Sequence, residues 1–399
     1  MVITSPRAIR HGAGRSKELT IPSMPTRSSY SPVPRSAGGM PEAVIESGQT
    51  LSGPGSQLRP RQVTWEMIQA CNWQAKSTRR RASSRRDRSE FSTAEAFHLV
   101  EQVAAMHVPL LALTGGDPLL RPDLFPVIEF ASNHSVRTSL TLLPTHRLNP
   151  EVILQLKMSG LMRAGFWLHG STAALNNAVW AVSGCYPRTL ELIRSCHEVG
   201  LPVQINTVLS RRNLHDLDWM IALLTRLDVA LWNLCFFVPT NPEELGEMLT
   251  ADEHEQVFTR LYRASKVTHF QIRTTEGQPY QRYALQQRVR ESRGRKTEAE
   301  FITLGPSGVN ESNGFIFISH DGEAYPSRFL PLSAGNVTTQ SLAEVYGDSP
   351  LFLALRDSSQ LKGKCGRCKF RDVCGGSRAR AYAMTGDLFA ADPACAYEP

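Results

Sequence analysis

Short apolar runs alternate with longer amphipathic segments from residue 62 onward. The short runs have the length of strands, and the segments between them have the spacing of helices. We predict six strands, at Val63–Gln69, Pro109–Leu113, Thr138–Leu142, Arg163–Leu168, Val203–Val208 and Ala230–Val238. A chain in which strands and helices alternate belongs to the α/β class and forms a parallel sheet with helices packed on it.

The helical segments carry their own start and stop signals. Ser92 and Glu95 form a capping box, so a helix is predicted from there to about Met106. Gly160 and Gly200 stand where C-terminal caps belong. Six strand–helix units with right-handed crossovers predict a sheet that curls into part of a barrel. Ligands of such sheets bind at the carboxyl ends of the strands.

Three segments of different composition divide the chain. Residues 1–60 are rich in Ser, Pro, Gly and Arg and lack a sustained hydrophobic period. We predict a disordered tail there, with an organelle transit peptide as the alternative. Residues 61–304 hold the partial barrel, which ends with a predicted helix at Asp252–Ala264 and a strand at Thr268–Arg273. Residues 305–399 are predicted to form a smaller domain with short strands and a cysteine-rich end.

Charge and composition exclude several classes of protein. Much of the net charge of +7 lies in the tail and in the run Arg79–Arg88, which is typical of a solvated loop. Basic faces with interleaved aromatic residues are not apparent, so we expect no nucleic-acid partner. The longest apolar run, Ala230–Val238, is about half as long as a transmembrane helix, so we expect no membrane span. Eight cysteines in 399 residues are not a secreted disulfide scaffold, which predicts the reducing cytoplasm.

Four cysteines near the C-terminus have the spacing of metal ligands. They follow the pattern Cys365-x2-Cys368-x5-Cys374-x20-Cys395. The Cys-x2-Cys turn aims two sulfurs at one point, and nearby glycines let the backbone approach closely. Spacing alone allows either zinc or a [4Fe–4S] cluster. Four free core cysteines are disfavoured, because the stretch 363–378 is polar and glycine-rich.

These cysteines and the block Gly314–Val337 resemble the C-terminal domain of radical S-adenosylmethionine (SAM) proteins of the SPASM or twitch type. The resemblance is to the branch related to haem-synthesis and peptide-modifying members, and it covers about residues 63–399. It implies a TIM-like partial barrel followed by a small iron–sulfur domain. It also implies that the four cysteines hold one auxiliary [4Fe–4S] cluster. Full SPASM domains hold a second, inner cluster, but Ser327 and Arg378 occupy matching ligand positions here.

The segment that matches the family's catalytic cluster loop has lost two cysteines. The family's pattern is C-x3-C-x2-C, and the three positions here are Cys71, Ala75 and Thr78. Alanine has no donor atom, and a threonine hydroxyl is a poor ligand for a cluster that binds thiolates. With Cys71 as the remaining thiolate, the resemblance implies that an ordinary catalytic cluster does not assemble.

Other positions match the family's SAM-binding segments or depart from them. A glycine-rich turn follows the second strand, and Asn206 lies on the fifth; the resemblance assigns SAM binding to Gly115, Gly116, Asp117, Pro118 and Asn206. The fourth strand, which usually ends in Ser-Leu-Asp-Gly, ends here in Trp167, Leu168, His169 and Gly170. We interpret His169 as a satisfied core or rim histidine, since a lone histidine without a partner motif is a weak metal signal.

Other cysteines could replace the missing ligands only if they lie near residue 71. Cys185 is predicted to lie in a loop and is the plausible replacement. Cys196 has helical core spacing and Cys235 lies in the apolar sixth strand, so both are predicted to be packed structural thiols.

Three hypotheses follow from these residues. The first is a pseudo-radical-SAM protein with one C-terminal [4Fe–4S] cluster and possible SAM binding, which serves as a binding, electron-relay or partner subunit. Its partners would be a peptide or tetrapyrrole-like substrate, and a radical SAM enzyme or a reductase. The second is an active radical SAM enzyme that modifies a peptide or tetrapyrrole side chain with an unusual ligand set. The third is a structural protein stabilised by zinc.

Overall fold

The computed structural model describes residues 58–71, 86–180, 183–292 and 314–399. These residues belong to one compact unit, Ser47–Pro399. The predicted tail lies almost entirely outside the described residues, as do Ala75, Thr78 and most of the run Arg79–Arg88.

Ten strands form one sheet in the order β10-β9-β8-β1-β2-β3-β4-β5-β6-β7. The strands are β1 (Gln62–Ile68), β2 (Leu111–Gly115), β3 (Thr138–Thr141), β4 (Arg163–Trp167), β5 (Val203–Leu209), β6 (Leu231–Phe236), β7 (Gln271–Thr275), β8 (Phe315–Ile318), β9 (Glu323–Tyr325) and β10 (Gly335–Asn336).

Strands β1 to β7 are all parallel, and each pairs with the next in sequence. Because β7 and β10 are the two edges of the sheet, the barrel is open. Strand β8 pairs parallel to β1, and β9 and β10 then continue the sheet as antiparallel strands. The α/β partial barrel is therefore confirmed, with a seventh parallel strand and a three-stranded extension. The division between residues 304 and 305 into two domains stays a prediction.

Twelve α-helices occur among the described residues. They are α1 (Thr93–Ala105), α2 (Leu124–Asn133), α3 (Pro150–Met158), α4 (Ala173–Trp180), α5 (Cys185–Glu198), α6 (Leu217–Arg226), α7 (Ala251–Val267), α8 (Pro279–Glu291), α9 (Leu342–Asp348), α10 (Pro350–Arg356), α11 (Gly363–Arg367) and α12 (Arg378–Thr385). Of these, none is long and apolar enough to cross a membrane.

The main core lies between the helices and one face of the sheet. Alternate residues of the strands, such as Trp65, Phe166 and Trp232, are fully buried there. Since successive side chains of a strand point to opposite faces, the residues between them line the other, inner face of the sheet. Those inner residues are often half-buried and polar, for example Gln204 and Asn233.

Local sequence signals placed the helix caps correctly but misplaced some element ends. The helix predicted at Asp252–Ala264 is Ala251–Val267. The capping box of Ser92 and Glu95 is present, and Gly160 and Gly200 have positive φ just after α3 and α5. The second strand begins at Leu111 rather than Pro109 and extends to Gly115. Proline cannot donate a ladder hydrogen bond, which explains the later start. The predicted strand Thr268–Arg273 is Gln271–Thr275.

Candidate functional site

The four C-terminal cysteines line a single pocket. Cys365, Cys368, Cys374 and Cys395 all lie on its wall, and its empty volume is about 360 Å³. Helix α11 carries Cys365, and Cys368 ends that helix. Gly376 has a φ of +71°, and a Cβ atom there would lie 2.7 Å from the Asp392 side chain, so this bend requires glycine. The four cysteines therefore share one pocket, and their role as cluster ligands stays a prediction.

Backbone N–H groups point at these sulfurs. The donor–acceptor pairs are Asp392 N to Cys365 Sγ, Phe370 N to Cys368 Sγ and Gly376 N to Cys374 Sγ, each at 3.4 Å. A backbone hydrogen bond from Tyr397 also favours the thiolate of Cys395. Neutral thiols are weak acceptors, whereas such donors stabilise sulfurs that carry negative charge as metal ligands. The local backbone thus fits four thiolate ligands.

Burial makes thiolates costly in this pocket unless positive charge is near. Burial raises the pKa of Cys374, of Cys368 and of Cys395. The guanidinium of Arg282 acts in the opposite direction and lowers the pKa of Cys368 and Cys395. Iron bound to the sulfurs would supply the remaining positive charge, because metal coordination deprotonates a thiol.

Arg282 lies on the wall of the cysteine pocket, although it is far from the cysteines in sequence. It forms an ion pair with Glu255 of α7, and its guanidinium lies 5.2 Å from the centroid of the Tyr397 ring. Sequence reasoning missed this residue, because nothing local in α8 indicates which side chains meet the C-terminal loop. Only the packing of α7, α8 and the C-terminus brings it there.

A single metal ion is the alternative occupant of this pocket. Throughout the described part of the chain, His, Cys, Asp and Glu side chains form no group of three that could hold one metal ion. A zinc–thiolate bond of about 2.3 Å would bring four sulfurs within about 4 Å of each other. The described residues thus show no site for a single ion, and the [4Fe–4S] cluster stays a prediction.

A polar network occupies the region where the resemblance would place inner-cluster ligands. Ser327 is buried, and its hydroxyl donates to Glu276 Oε1 at 2.6 Å; the Ser377 hydroxyl donates to Glu276 Oε2 at 2.5 Å. Arg378 donates to the carbonyls of Leu388 and Ala390 at 3.1 and 2.7 Å. Oxygen and nitrogen groups with these partners fit a structural network rather than a second cluster.

The same network includes a fully buried ion pair. Arg380 donates to Asp392 through Nε and Nη2 at 2.9 and 2.8 Å, and neither side chain is exposed. Burial raises the pKa of Asp392, but the Arg380 charge and hydrogen bonds outweigh this effect and hold the pKa well below its usual range. Arg380 also donates to the Glu276 carbonyl at 2.9 Å, so this pair ties the turn after β7 to the cysteine loop.

The glycine turn after β2 is bonded to the segment that leads into Cys71. Gly116 N donates to Ile68 O at 2.7 Å, and Asp117 N donates to Ala70 O at 2.8 Å. A Cβ atom on Gly116 would lie 2.1 Å from Ala70 O, closer than any real contact. The second glycine is therefore required by the close approach of two backbones.

Asp117 and Pro118 begin the short 3-10 helix that follows this turn. Asp117 is 1% exposed, and its carboxylate accepts from Leu119 N at 3.2 Å and from the Thr145 hydroxyl at 3.3 Å. Burial raises the pKa of Asp117, although these hydrogen bonds oppose the shift. Neither residue lines the cysteine pocket, so the two predicted sites are separate.

Cys71 packs in a small apolar cluster. Its buried neighbours are Leu143 and Cys185, with the half-buried Trp167 packed against them. Cys185 was predicted to lie in a loop, and this prediction is wrong: Cys185 is the first residue of α5 and is 2% exposed. Its thiol accepts from Asn176 at 3.2 Å. The structure therefore brings two cysteines and an indole together at the carboxyl end of β4.

Of the remaining predicted residues, Asn206 lies on β5 and His169 lies two residues after the end of β4. The Asn206 side-chain oxygen accepts from Gln204 at 2.7 Å and from Asn233 at 3.3 Å. His169 is buried, and its Nδ1 accepts from Val208 N at 3.1 Å. Burial lowers the pKa of His169 to about 4, and its ring stacks on that of Trp167 with centroids 5.6 Å apart.

The predictions for the other two cysteines agree with the structure. Cys196 lies in α5 and Cys235 in β6, and both are buried. Burial raises the pKa of Cys196 to about 12, as expected for a packed structural thiol.

Comparison with known proteins gives consistent matches over most of the chain. Residues 71–224 match the model of the radical SAM superfamily. The AdoMet-dependent heme synthase of Methanosarcina barkeri is 32% identical over 340 residues, which cover 85% of this chain and 97% of that protein. The PqqA peptide cyclase of Rhodopseudomonas palustris is 25% identical over 344 residues, which cover 85% of this chain and 88% of that protein.

The fold is also similar to that of a solved structure. Streptococcus suis SuiB bound to S-adenosylmethionine superposes with a TM-score of 0.64 over 85% of this chain and 78% of that one. The sequence identity is 14%, so this likeness concerns the fold alone.

Proposed function

Because the chain belongs to the radical SAM superfamily, we propose that it is a member that holds one C-terminal [4Fe–4S] cluster and has lost SAM cleavage. In this proposal the protein acts as a substrate-binding, electron-relay or partner subunit. The observation that carries it is the pocket lined by Cys365, Cys368, Cys374 and Cys395. When bound there, the cluster would supply one-electron transfer.

Three features of the pocket support the cluster. The sulfurs share one wall, backbone N–H groups point at them, and Arg282 adds positive charge beside them. Arg282 would stabilise the more negative, reduced state, and the Arg380–Asp392 pair would hold the loop that carries Cys374 and Cys395. None of these features requires that a reaction takes place at the pocket. An electron-relay or structural role for the cluster is therefore consistent with them.

The loss of SAM cleavage is supported at the other end of the barrel. Two of the three thiolate positions of the catalytic loop hold Ala75 and Thr78. Cys71, the third, is 8% exposed and packs against Leu143 and Trp167. A sulfur that packs among apolar side chains is a poor starting point for a cluster that must stay open to SAM.

Binding of SAM without cleavage remains part of the proposal. The turn of Gly115, Gly116, Asp117 and Pro118 keeps its backbone geometry, and Asn206 keeps an amide on the inner face. The names of the relatives favour a tetrapyrrole over a peptide as the other ligand, because the heme synthase is more similar than the peptide cyclase. A catalytic radical SAM enzyme or a reductase would be the partner in either case.

One observation favours a second candidate, an active enzyme with an unusual ligand set. Cys185 packs in the same cluster as Cys71, so two thiols lie together beside the carboxyl end of β4. In this alternative the two thiolates would hold the catalytic cluster, and the enzyme would modify a peptide or tetrapyrrole side chain.

Iron counting on anaerobically reconstituted protein separates the candidates. We expect about four irons and four sulfides per chain, and no 5′-deoxyadenosine when SAM and a reductant are added. Cys374→Ala should lose the cluster absorbance, whereas the matched control Cys196→Ala should keep it. About eight irons with 5′-deoxyadenosine would establish the active enzyme, and zinc without sulfide would establish the structural zinc protein.

A further inference from the structure

The rim of the cysteine pocket carries an excess of positive charge. Between residues 362 and 371 the chain has no acidic residue and five cations, which are Lys362, Lys364, Arg367, Lys369 and Arg371. Lys364 and Arg371 line the pocket together with Arg282, and none of the described residues that line it is acidic. The mouth of the pocket is therefore basic on the side formed by α11 and the turn that follows it.

Acidic neighbours neutralise only part of this charge. The two ion pairs of the stretch are Lys362 with Asp387 at 2.7 Å and Lys364 with Glu398 at 3.2 Å. Arg367 and Arg371 are exposed, and within the described ranges neither guanidinium is paired with a carboxylate. Asp372, which follows Arg371, accepts from the Ser358 hydroxyl at 2.6 Å. Two arginines thus present their charge to solvent.

The cysteines on this basic side are the least buried of the four. Cys368 follows Arg367 directly in the chain and is half-buried. Cys395 is also half-buried, and its carbonyl accepts a hydrogen bond from Lys364. The other two cysteines of the pocket are each 9% exposed. The ligands that solvent reaches are therefore those beside the cations, which makes this the side from which a partner can approach the cluster.

Nucleic acid and acidic proteins both carry enough negative charge for a basic surface. Proteins that bind single-stranded nucleic acid combine such charge with aromatic rings on which bases stack. Phe370, the aromatic residue of this stretch, is fully buried. The Tyr397 ring already contacts Phe370 and the Arg282 guanidinium, with centroid distances of 5.4 and 5.2 Å. The surface offers charge without a free stacking ring, which favours an acidic protein.

We propose that Arg367 and Arg371, with Lys362 and Lys364 beside them, form the docking surface for an acidic protein that exchanges one electron with the C-terminal cluster. Complementary charge accelerates encounter and orients the partners, and electron-transfer complexes need only small interfaces. In the exchange the partner's reduced centre loses one electron and the cluster gains it, and no bond forms or breaks. This inference rests on the proposed cluster, and it names the class of partner that reaches it.

The test is binding of a plant-type [2Fe–2S] ferredoxin, an acidic one-electron carrier, to the reconstituted full chain. Oxidised ferredoxin with a fluorescent label is titrated with the chain, and anisotropy is measured. We expect saturable binding at about 20 mM salt that weakens at least about tenfold at about 300 mM, because ions screen surface charges. Cytochrome c, a basic carrier, is the matched probe and should not bind. Equal binding of the two carriers, or no saturable binding of ferredoxin, would overturn the docking surface.

Variants then locate the surface. Arg367→Glu and Arg371→Glu should each weaken ferredoxin binding about fivefold, and the double variant should weaken it at least tenfold. Arg371→Lys loses the guanidinium that donates to Gly366 O but keeps the charge, so it should keep most of the affinity. Arg194→Glu reverses an exposed charge on α5 and should bind like the parent protein. An unaffected double variant, or an equal loss in Arg194→Glu, would contradict the proposed location.

A labelled single-stranded RNA of 20 nucleotides tests the other kind of partner. We expect it to bind at least about tenfold more weakly than ferredoxin at the same salt, since the surface has no stacking ring. Tighter binding of the RNA, weakened by the same two substitutions, would assign the surface to nucleic acid and overturn the proposal.

Iron and sulfide content distinguishes docking from a structural role. Arg367 does not line the pocket, so Arg367→Glu should retain the iron and sulfide of the parent protein. Loss of the cluster in this variant would mean that Arg367 serves cluster assembly, and it would overturn the assignment to a partner. A parent protein without iron would contradict the proposed function itself. A loaded parent that binds no ferredoxin would contradict the docking surface alone.

Discussion

Two buried histidines, His169 and His254, are neutral in the folded protein. Burial lowers the pKa of each to about 4, well below the usual value for an imidazole. The unfolded chain takes up these protons below about pH 6.5, whereas the folded chain does so only near pH 4. The free energy of unfolding should therefore fall as the pH falls through this window.

Removing one of these imidazoles should flatten the pH dependence. Each histidine contributes a slope of about 1.4 kcal/mol per pH unit between pH 6 and 5. His254→Phe keeps a ring that can stack on Phe236, so we expect a slope smaller by that amount in urea unfolding at several pH values. His98→Gln, at an exposed position, is the control and should leave the slope unchanged. An equal slope in His254→Phe and the parent protein would contradict this account.

Arg282 allows a prediction about the cluster potential. Its positive charge lies beside Cys368 and Cys395, and a nearby cation favours the reduced cluster, which carries one more negative charge. Arg282→Gln should therefore shift the midpoint potential to more negative values in a redox titration followed by EPR. Arg194→Gln, which is exposed on α5, serves as the control for loss of charge. An unchanged midpoint potential in Arg282→Gln would contradict this prediction and would mean that Arg282 contributes only to packing.

The turn between β2 and the following 3-10 helix requires glycine, because two backbone segments come into contact there. Its first glycine, Gly115, has a φ of +140°, and a Cβ atom on it would lie 2.2 Å from Ile68 O. The family resemblance assigned this turn to SAM binding. The structure shows that β1 itself is the first partner of both glycines.

Gly116→Ala should destabilise the protein by about 3 kcal/mol. The added methyl would lie 2.1 Å from the Ala70 carbonyl oxygen, and a backbone atom cannot move aside as a side chain does. Gly246→Ala is the control, because nothing lies within 4 Å of its added methyl, and it should change stability by less than about 0.5 kcal/mol. Urea unfolding measures both. If the two variants are equally stable, the prediction is wrong, because the turn can then adjust to the added methyl group.

At the scale of the molecule, the cysteine region and the barrel should unfold together. Strand β8 pairs with β1 in the same sheet, and the buried Glu276 joins the turn after β7 to Ser377 near the cysteines. Contacts of this kind make two regions one cooperative unit.

The six tryptophans all lie between residues 65 and 232, so their fluorescence reports on the barrel alone. Cluster absorbance reports on the C-terminal region. In anaerobic denaturant titrations of reconstituted protein, we expect the two signals to change with one midpoint. Loss of cluster absorbance well before the fluorescence change would instead establish independent domains and support the predicted boundary between residues 304 and 305.

Local patterns in the sequence were sufficient for the α/β class, the order of strands and helices, and the helix caps, and they selected the four cysteines that share one pocket. Each of these depends on spacing between neighbours in the chain: apolar periodicity, Ser92 with Glu95, or Cys365 with Cys368. The missing thiolate positions, which hold Ala75 and Thr78, followed from the family resemblance and stay a prediction.

Only the tertiary structure decided which distant residues meet. Arg282 reaches the cysteine pocket from α8, and Cys185 joins Cys71 from the start of α5. No local pattern marks these residues, because their partners lie far away in the sequence and are brought near only by the folding of the whole chain. Burial then sets their chemistry, since a charge or thiol changes its properties only after water is removed from it.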